Sequence, residues 1–135
     1  MALIIAFIAA HMGFLWEQAR FRIAGSEVTS INGGNAFLLV ESDVLRLRFV
    51  CDRGQLLLDF QPVAGDTVSD WFSVDLIRRL LLGKPETSGL LDESYATFIG
   101  QHLGAIEDCF RGERWPATQA ELKRLKVKRA KELFG

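Results

Sequence analysis

The hydrophobic pattern changes its period twice along the chain. Residues 2–16 are almost entirely apolar, with the sequence ALIIAFIAAHMGFLW, which predicts an N-terminal helix packed against a sheet or a second helix. Residues 21–63 then divide into short β-type runs separated by turn residues, which predicts antiparallel strands. The runs are FRIAG, EVTSI, AFLLVE, LRLRFVC and QLLLDFQ.

Residues 45–51 alternate most regularly of these runs. One face of the predicted strand is apolar, and the other carries Arg46 and Arg48, whose charges need water or acidic neighbours. Residues 32–35, with the sequence NGGN, tolerate positive φ and predict one turn. Gly54 after Asp52 and Arg53 predicts a second turn with a left-handed glycine.

Beyond Pro62 the pattern becomes helical, and two helices are predicted before residue 111. The first repeats apolar residues at spacings of three and four from Trp71 to Leu81 and ends near Gly83. Its N-cap is expected among four residues with side-chain oxygens, namely Asp66, Thr67, Ser69 and Asp70. The second spans about 92–110, where Gly100 and Gly104 are spaced to permit close approach of a neighbour.

The last predicted helix follows Trp115 and Pro116. Thr118 and Glu121 have the spacing of a capping box, which predicts the helix start there. An apolar stripe follows, formed by Leu122, Leu125, Leu133 and Phe134. Together these elements predict one α+β domain over residues 1–135. We expect an N-terminal helix, an antiparallel meander of three to five strands, and three C-terminal helices packed on the sheet.

Composition is that of an ordinary globular domain. Apolar residues make up 49% and charged residues 24% of the 135, which argues against disorder, a collagen-like chain or a coiled coil. The net charge of −1 hides an asymmetry, because residues 1–110 carry −6 and residues 111–135 carry +5. Cys51 and Cys109 lie far apart without a CxxC motif, which predicts no disulfide and a reducing, cytoplasmic location.

The N-terminal apolar segment also raises the question of a membrane. It has no basic residue before Arg20, unlike a secretory signal, and it is shorter than the roughly 20 apolar residues of a membrane span. We therefore expect no membrane association and favour a buried helix. A membrane-associated segment remains the alternative for residues 2–16.

Candidate chemistry is sparse. The sequence has two histidines and one tyrosine and lacks HExxH, GxSxG and glycine-rich phosphate motifs, so we expect no enzyme activity, no catalytic residues, no metal and no cofactor. Glu107 and Asp108 are adjacent on a predicted helix and point in different directions, which argues against a paired acid and base. The basic C-terminal helix suggests nucleic-acid binding as an alternative, although no aromatic residues lie among its cations for base stacking.

The strand region also carries a resemblance. The segment ESDVLRLRFVCDRGQLLLDF follows a glycine-containing NGGNA turn and precedes a tryptophan-bearing helix and a helical C-terminal half. Over about 40 residues it resembles small bacterial immunity proteins of polymorphic toxin and contact-dependent growth inhibition systems. The resemblance implies that the chain binds one cognate toxin domain and blocks its active site or an essential surface, without catalytic residues of its own.

Toxins of this kind include nucleases, so we expect the partner to have a positive, phosphate-binding cleft. Carboxylates of an inhibitor can steer and hold such a partner. The predicted toxin-binding residues are these acids and one aromatic anchor: Asp66, Asp70, Trp71, Asp75, Glu86, Asp92 and Glu93. Phe72 is the alternative anchor, and a basic C-terminal tail that faces an acidic toxin domain is the competing arrangement. The alternative for each residue is structural, with Trp71 in the core and the acids as helix caps.

A second function class is also open. An adaptor or an oligomeric interaction module would have the same fold and composition, and would lack a toxin encoded directly upstream.

Overall fold

The chain folds as an antiparallel meander with a layer of helices on one face of the sheet. A computed structural model describes residues 1–17, 20–29, 35–63 and 70–134, the side chain of Phe134 excepted. The strands, in spatial and chain order, are β1 (Arg22–Thr29), β2 (Asn35–Glu41), β3 (Leu45–Asp52), β4 (Gln55–Pro62) and β5 (Phe72–Ser73). The helices are α1 (Ala2–His11), α2 (Phe14–Glu17), α3 (Val74–Leu82), α4 (Glu93–Phe110) and α5 (Trp115–Phe134). The predicted fold class is confirmed.

The core lies between the sheet and the helices. Along β3 every second residue is buried on the helical side, as the alternation predicts. Leu47 pairs with Val40 on β2 and with Phe60 on β4, and all three side chains are fully buried. One apolar row therefore crosses three strands beneath the helices. Burying a phenylalanine or leucine side chain of this kind contributes about 1.5–3 kcal/mol.

The turn between β3 and β4 is the predicted tight hairpin. Arg53 has φ of 52° and Gly54 has φ of 83°, so both central residues are left-handed, as in a type I′ turn. The predicted turn at residues 32–35 lies outside the described residues, apart from Asn35 at the start of β2.

Helix α1 packs against β3 and α4. It buries Ile4 and Ile8 towards the core and leaves Leu3 and Ile5 exposed, so only one side of this apolar helix is covered. In the described ranges no helix has the length and apolarity needed to cross a bilayer.

The two glycines of α4 differ in their surroundings. A Cβ added at Gly100 would lie 3.1 Å from Cε2 of Phe14, so the close approach predicted there is confirmed. A Cβ at Gly104 would meet no atom of the described residues within 4 Å, so no close approach is seen at that position among them.

Three element boundaries differ from prediction. Residues 22–29, from the two runs FRIAG and EVTSI, form one strand, β1, which pairs with β2 and has a bulge between Ile23 and Gly25. Residues 30 and 31 of the second run lie outside the described residues. The helix expected to begin at residues 66–70 begins at Val74. Phe72 instead pairs with Phe60 at the edge of the sheet, where its side chain is fully buried, and Asp66 lies outside the described residues.

The start of the last helix also differs. Helix α5 begins at Trp115, and the N–H of Thr118 already donates to the carbonyl of Arg114, so Thr118 is not an N-cap. Pro116 fits this first turn, where its missing N–H has no helical partner to lose. Of the predicted stripe, Leu122 and Leu125 are buried and Leu133 is exposed. The side chain of Phe134 lies outside the described part of the chain.

A buried carboxylate joins α4 to the sheet. Glu107 is 1% exposed and accepts hydrogen bonds from Arg20 Nη1 and, at 3.1 Å, from Ser42 Oγ. Ser42 Oγ in turn accepts from the N–H groups of Val44 and Leu45 in the β2–β3 turn. Asp108, the next residue, is exposed and pairs with Arg111, so the predicted divergence of the two acids is confirmed.

Two reciprocal ion pairs hold α5 against α3. Arg129 Nη1 on α5 lies 2.7 Å from Asp75 Oδ2 on α3. Arg79 on α3 donates through both Nη atoms to the Glu132 carboxylate on α5, at 2.8 and 3.2 Å. This hydrogen-bonded pairing lowers the pKa of Glu132 below its ordinary value of 4.5.

The Glu107 network predicts a difference between neighbouring acids. We expect Glu107→Gln to lower the free energy of unfolding by about 2 kcal/mol, because it weakens charge-assisted hydrogen bonds in a buried site. Asp108→Asn is the matched control, with an expected loss of less than ~0.5 kcal/mol at an exposed pair. Urea unfolding of both variants measures the difference. Equal losses would contradict a special role for Glu107.

The lowered pKa of Glu132 predicts a pH-dependent contribution to stability. Above pH 4.5 the carboxylate is charged in both states and the pairing with Arg79 is complete. As the pH falls below 4.5 and through the lower folded-state pKa, this contribution is lost. We therefore expect Glu132→Gln to destabilise the protein most near neutral pH and least in acid, in urea titrations across the pH range. In an Arg79→Met background the substitution should lose this pH dependence.

Candidate functional site

The second face of the sheet has no helix of the described chain packed on it. The helices that contact one another, α1, α3, α4 and α5, all belong to the layer on the opposite face. Seven half-buried residues form this surface, here called the open sheet face: Phe37 and Leu39 on β2, Arg48 and Val50 on β3, Leu57 and Asp59 on β4, and Trp71 before β5.

Strand register organises the open sheet face into rows. Val50 lies between Phe37 and Leu57, which makes an apolar row across three strands. In the next row Arg48 lies between Leu39 and Asp59. The open sheet face therefore combines this apolar row with the ion pair of Arg48 and Asp59 in the next row.

A polar row closes one end of this surface. Arg46 Nε donates to Glu41 Oε2 at 3.1 Å, and Arg46 Nη1 donates to Gln61 Oε1 at 3.0 Å. Arg22 on β1 also donates to Glu41, at 3.2 Å. Because its charges are paired across strands, this end is a polar rim to the apolar row.

Arg48 contacts two other residues of the open sheet face. Its Nη2 donates to Asp59 Oδ2 at 2.9 Å, and its guanidinium carbon lies 4.3 Å from the centre of the Trp71 ring. This stacking is the planar contact that arginine makes with aromatic rings. Arg48 Nε is buried and has no hydrogen-bond partner among the described residues.

A shallow cavity of about 430 Å³ lies over the apolar row. Phe37, Val50 and Leu57 line it, together with Arg48 and Asp59, and β1 contributes Glu27 and Thr29 at its side. An apolar floor with a few polar groups at its border suits a large side chain of a binding partner.

A second concavity, of about 710 Å³, lies between α3 and α4. Its central cation, Arg78, donates to Glu86 at 3.0 Å and to Ser94 at 2.8 Å, and it stacks on the Tyr95 ring. The Tyr95 hydroxyl donates to the carbonyl of Ser88, and Glu86 Oε1 lies 3.3 Å from the same hydroxyl oxygen. Burial raises the pKa of Tyr95, and the Glu86 charge raises it further. These polar groups satisfy one another.

The structure distributes the predicted toxin-binding residues over separate places. Glu86 and Glu93 line the cleft between α3 and α4. Asp70 is exposed and directly precedes Trp71, which stacks against Arg48 on the open sheet face. Asp66 lies outside the described residues. The candidates therefore do not form one continuous surface.

Two of the predicted acids have structural partners. Asp75 is buried, and its carboxylate accepts hydrogen bonds from Ser73 Oγ and Arg129 Nη1. Asp92 is the N-cap of α4 and accepts from the N–H of Tyr95 at 2.9 Å. The structural alternative, a helix cap, describes the contact of Asp92, whereas Asp75 is held by an ion pair with Arg129 instead of capping a helix.

Nucleophilic and metal-ligating groups are scattered. Cys51 is buried on the helical side of β3, whereas His102 on α4 lies against the ring of Phe98. Both cysteines are free thiols. Over the described ranges no three His, Cys, Asp or Glu side chains come together in a group that could hold a metal ion.

The basic face of α5 is partly neutralised within the fold. Arg124 pairs with Glu121 in the same helix, and Arg129 pairs with Asp75 on α3. Four exposed lysines complete this face: Lys123, Lys126, Lys128 and Lys131.

Sequence reasoning missed most of the open sheet face, although a signal was present. Counting outwards from the predicted turn at Arg53 and Gly54 places Asp59 opposite Arg48 and Leu57 opposite Val50. The need of Arg48 for an acidic neighbour would then have identified Asp59. The contact with Trp71 had no such signal, because it depends on the path of the chain between β4 and β5.

No protein-family model, curated protein or solved structure matches this chain.

Proposed function

We propose that this chain is a bacterial immunity protein that binds a cognate toxin domain in the cytoplasm and blocks its active site or an essential surface. We further propose that the open sheet face is its toxin-binding surface. The observation that carries the proposal is the apolar row of Phe37, Val50 and Leu57 beside the Arg48–Trp71 stack. The resemblance of residues 34–59 to immunity proteins supports the choice of partner.

The chemistry of the open sheet face supports binding to a protein. Tryptophan and arginine are the residue types that most often dominate the affinity of protein complexes, and here they form one preorganised pair. Arg48 Nε, buried without a partner among the described residues, gives an added reason for a binding partner to supply an acceptor nearby. The paired charges of Glu41 and Arg46 form a polar rim.

Acidic groups around this surface support a basic toxin, such as a nuclease. Asp59 lies within the open sheet face, Glu27 borders its cavity, and exposed Asp70 directly precedes Trp71. Carboxylates in these positions would attract a cleft built to bind phosphate. The competing arrangement uses Glu86 and Glu93 at the α3–α4 cleft, and the experiment below distinguishes the two.

The test combines binding with growth. The chain is co-expressed with the C-terminal domain encoded directly upstream, and we expect a stoichiometric complex and rescue of growth. Trp71→Ala should weaken the complex about 30-fold or more, as expected for loss of a central aromatic anchor. Trp16→Ala, a half-exposed tryptophan on the helical side, is the matched control and should bind normally.

Each failure has a distinct meaning. Absence of a complex and of toxicity would contradict the immunity function. A complex that tolerates Trp71→Ala and Leu57→Lys but is broken by Glu86→Lys or Glu93→Lys would place the contact at the α3–α4 cleft and contradict the role of the open sheet face. Circular dichroism of each variant establishes that the fold is retained.

A further inference from the structure

Strand β1 forms an edge of the sheet. Among the described residues it pairs only with β2, so its other side presents backbone N–H and C=O groups that no described strand pairs with. Its side chains are also open, with Ile23 56% and Val28 64% exposed. A long edge of this kind, with exposed β-branched residues, readily pairs with another strand.

The bulge in β1 places its two exposed apolar residues on one face. Ile23 lies opposite Val40 and Val28 lies opposite Ala36, and both partners are buried on the helical side. Ile23 and Val28 are five positions apart, and in a regular strand their side chains would point to opposite faces. The extra residue, Ala24, shifts the alternation and brings both to the helical side.

The same bulge makes β1 complementary to a second copy of itself. Seven residues of β1 have partners on β2, and Ser26 is the middle one. In an antiparallel pair of two β1 strands with a twofold axis at Ser26, Val28 of one copy lies opposite Ile23 of the other. Glu27 lies opposite Gly25, and all opposed residues share the same face of the sheet.

We infer that two copies of this chain associate through β1 and join their sheets into one antiparallel sheet of ten strands. Three properties of β1 favour a second copy over an unrelated strand. Each of the seven residues of β1 that pair with β2 has an opposite residue on the second copy. The exposed apolar residues become cross-strand neighbours, and no like charges oppose each other. Glu27 would face a glycine, and Ser26 would face its own uncharged copy.

The twofold axis at Ser26 gives a test of the register. Ser26→Lys would oppose two introduced lysines, and Ser26→Glu would oppose two introduced glutamates. By sedimentation equilibrium we expect the unmodified chain to have twice its mass of 15.1 kDa and each variant to dimerise about tenfold or more weakly. An equimolar mixture of the two variants should recover the dimer, because each pair then carries opposite charges.

A second pair of variants controls for surface charge in general. Val28→Lys should weaken the dimer, whereas Val127→Lys on α5, at a valine of similar 56% exposure, should leave it unchanged. A chain that remains monomeric at every concentration would overturn the inference and leave the edge to a strand of another protein. A dimer that survives both Ser26 variants would overturn it as well, because its contact would lie elsewhere, for example on exposed Leu3 and Ile5 of α1.

Discussion

The fold depends on the contrast between the two faces of β3. On one side Leu45, Leu47 and Phe49 are buried beneath the helices, and this row fixes where α1 packs. On the other side Arg46 and Arg48 form ion pairs with acids on the neighbouring strands β2 and β4. A shift of one residue in register would exchange these faces, placing two arginines in the core. Burial and charge therefore specify the same register.

Buried and half-buried ion pairs join the helices to the sheet and to one another. Glu107 connects α4 to the β2–β3 turn, while Asp75 and Glu132 connect α3 to α5. Leaving one partner of such a pair buried and alone is far more costly than the pair is favourable. These pairs therefore add charged contacts between α4 and the β2–β3 turn and between α3 and α5.

Local chemistry made part of this structure predictable. The structural alternative for Asp92 is a helix cap, which is its observed role. The left-handed glycine of the β3–β4 hairpin follows from the turn residues. The unpredicted features depend on distant contacts. Asp75 accepts a hydrogen bond from Arg129, 54 positions away, whereas helical periodicity alone predicts an exposed acid at this position. The start of α3 was displaced because the edge of β4 binds Phe72 as a strand. The open sheet face required the full strand register.

The N-terminal segment contacts residues that are synthesised much later. Phe14 packs against Gly100, and Arg20 bonds Glu107, 87 residues later in the chain. At about 5–20 residues per second, roughly 4 to 17 s separate the synthesis of these two partners. The most apolar stretch of the protein therefore leaves the ribosome long before the helix that covers it. During that interval α1 is a candidate client for chaperones that bind exposed apolar segments.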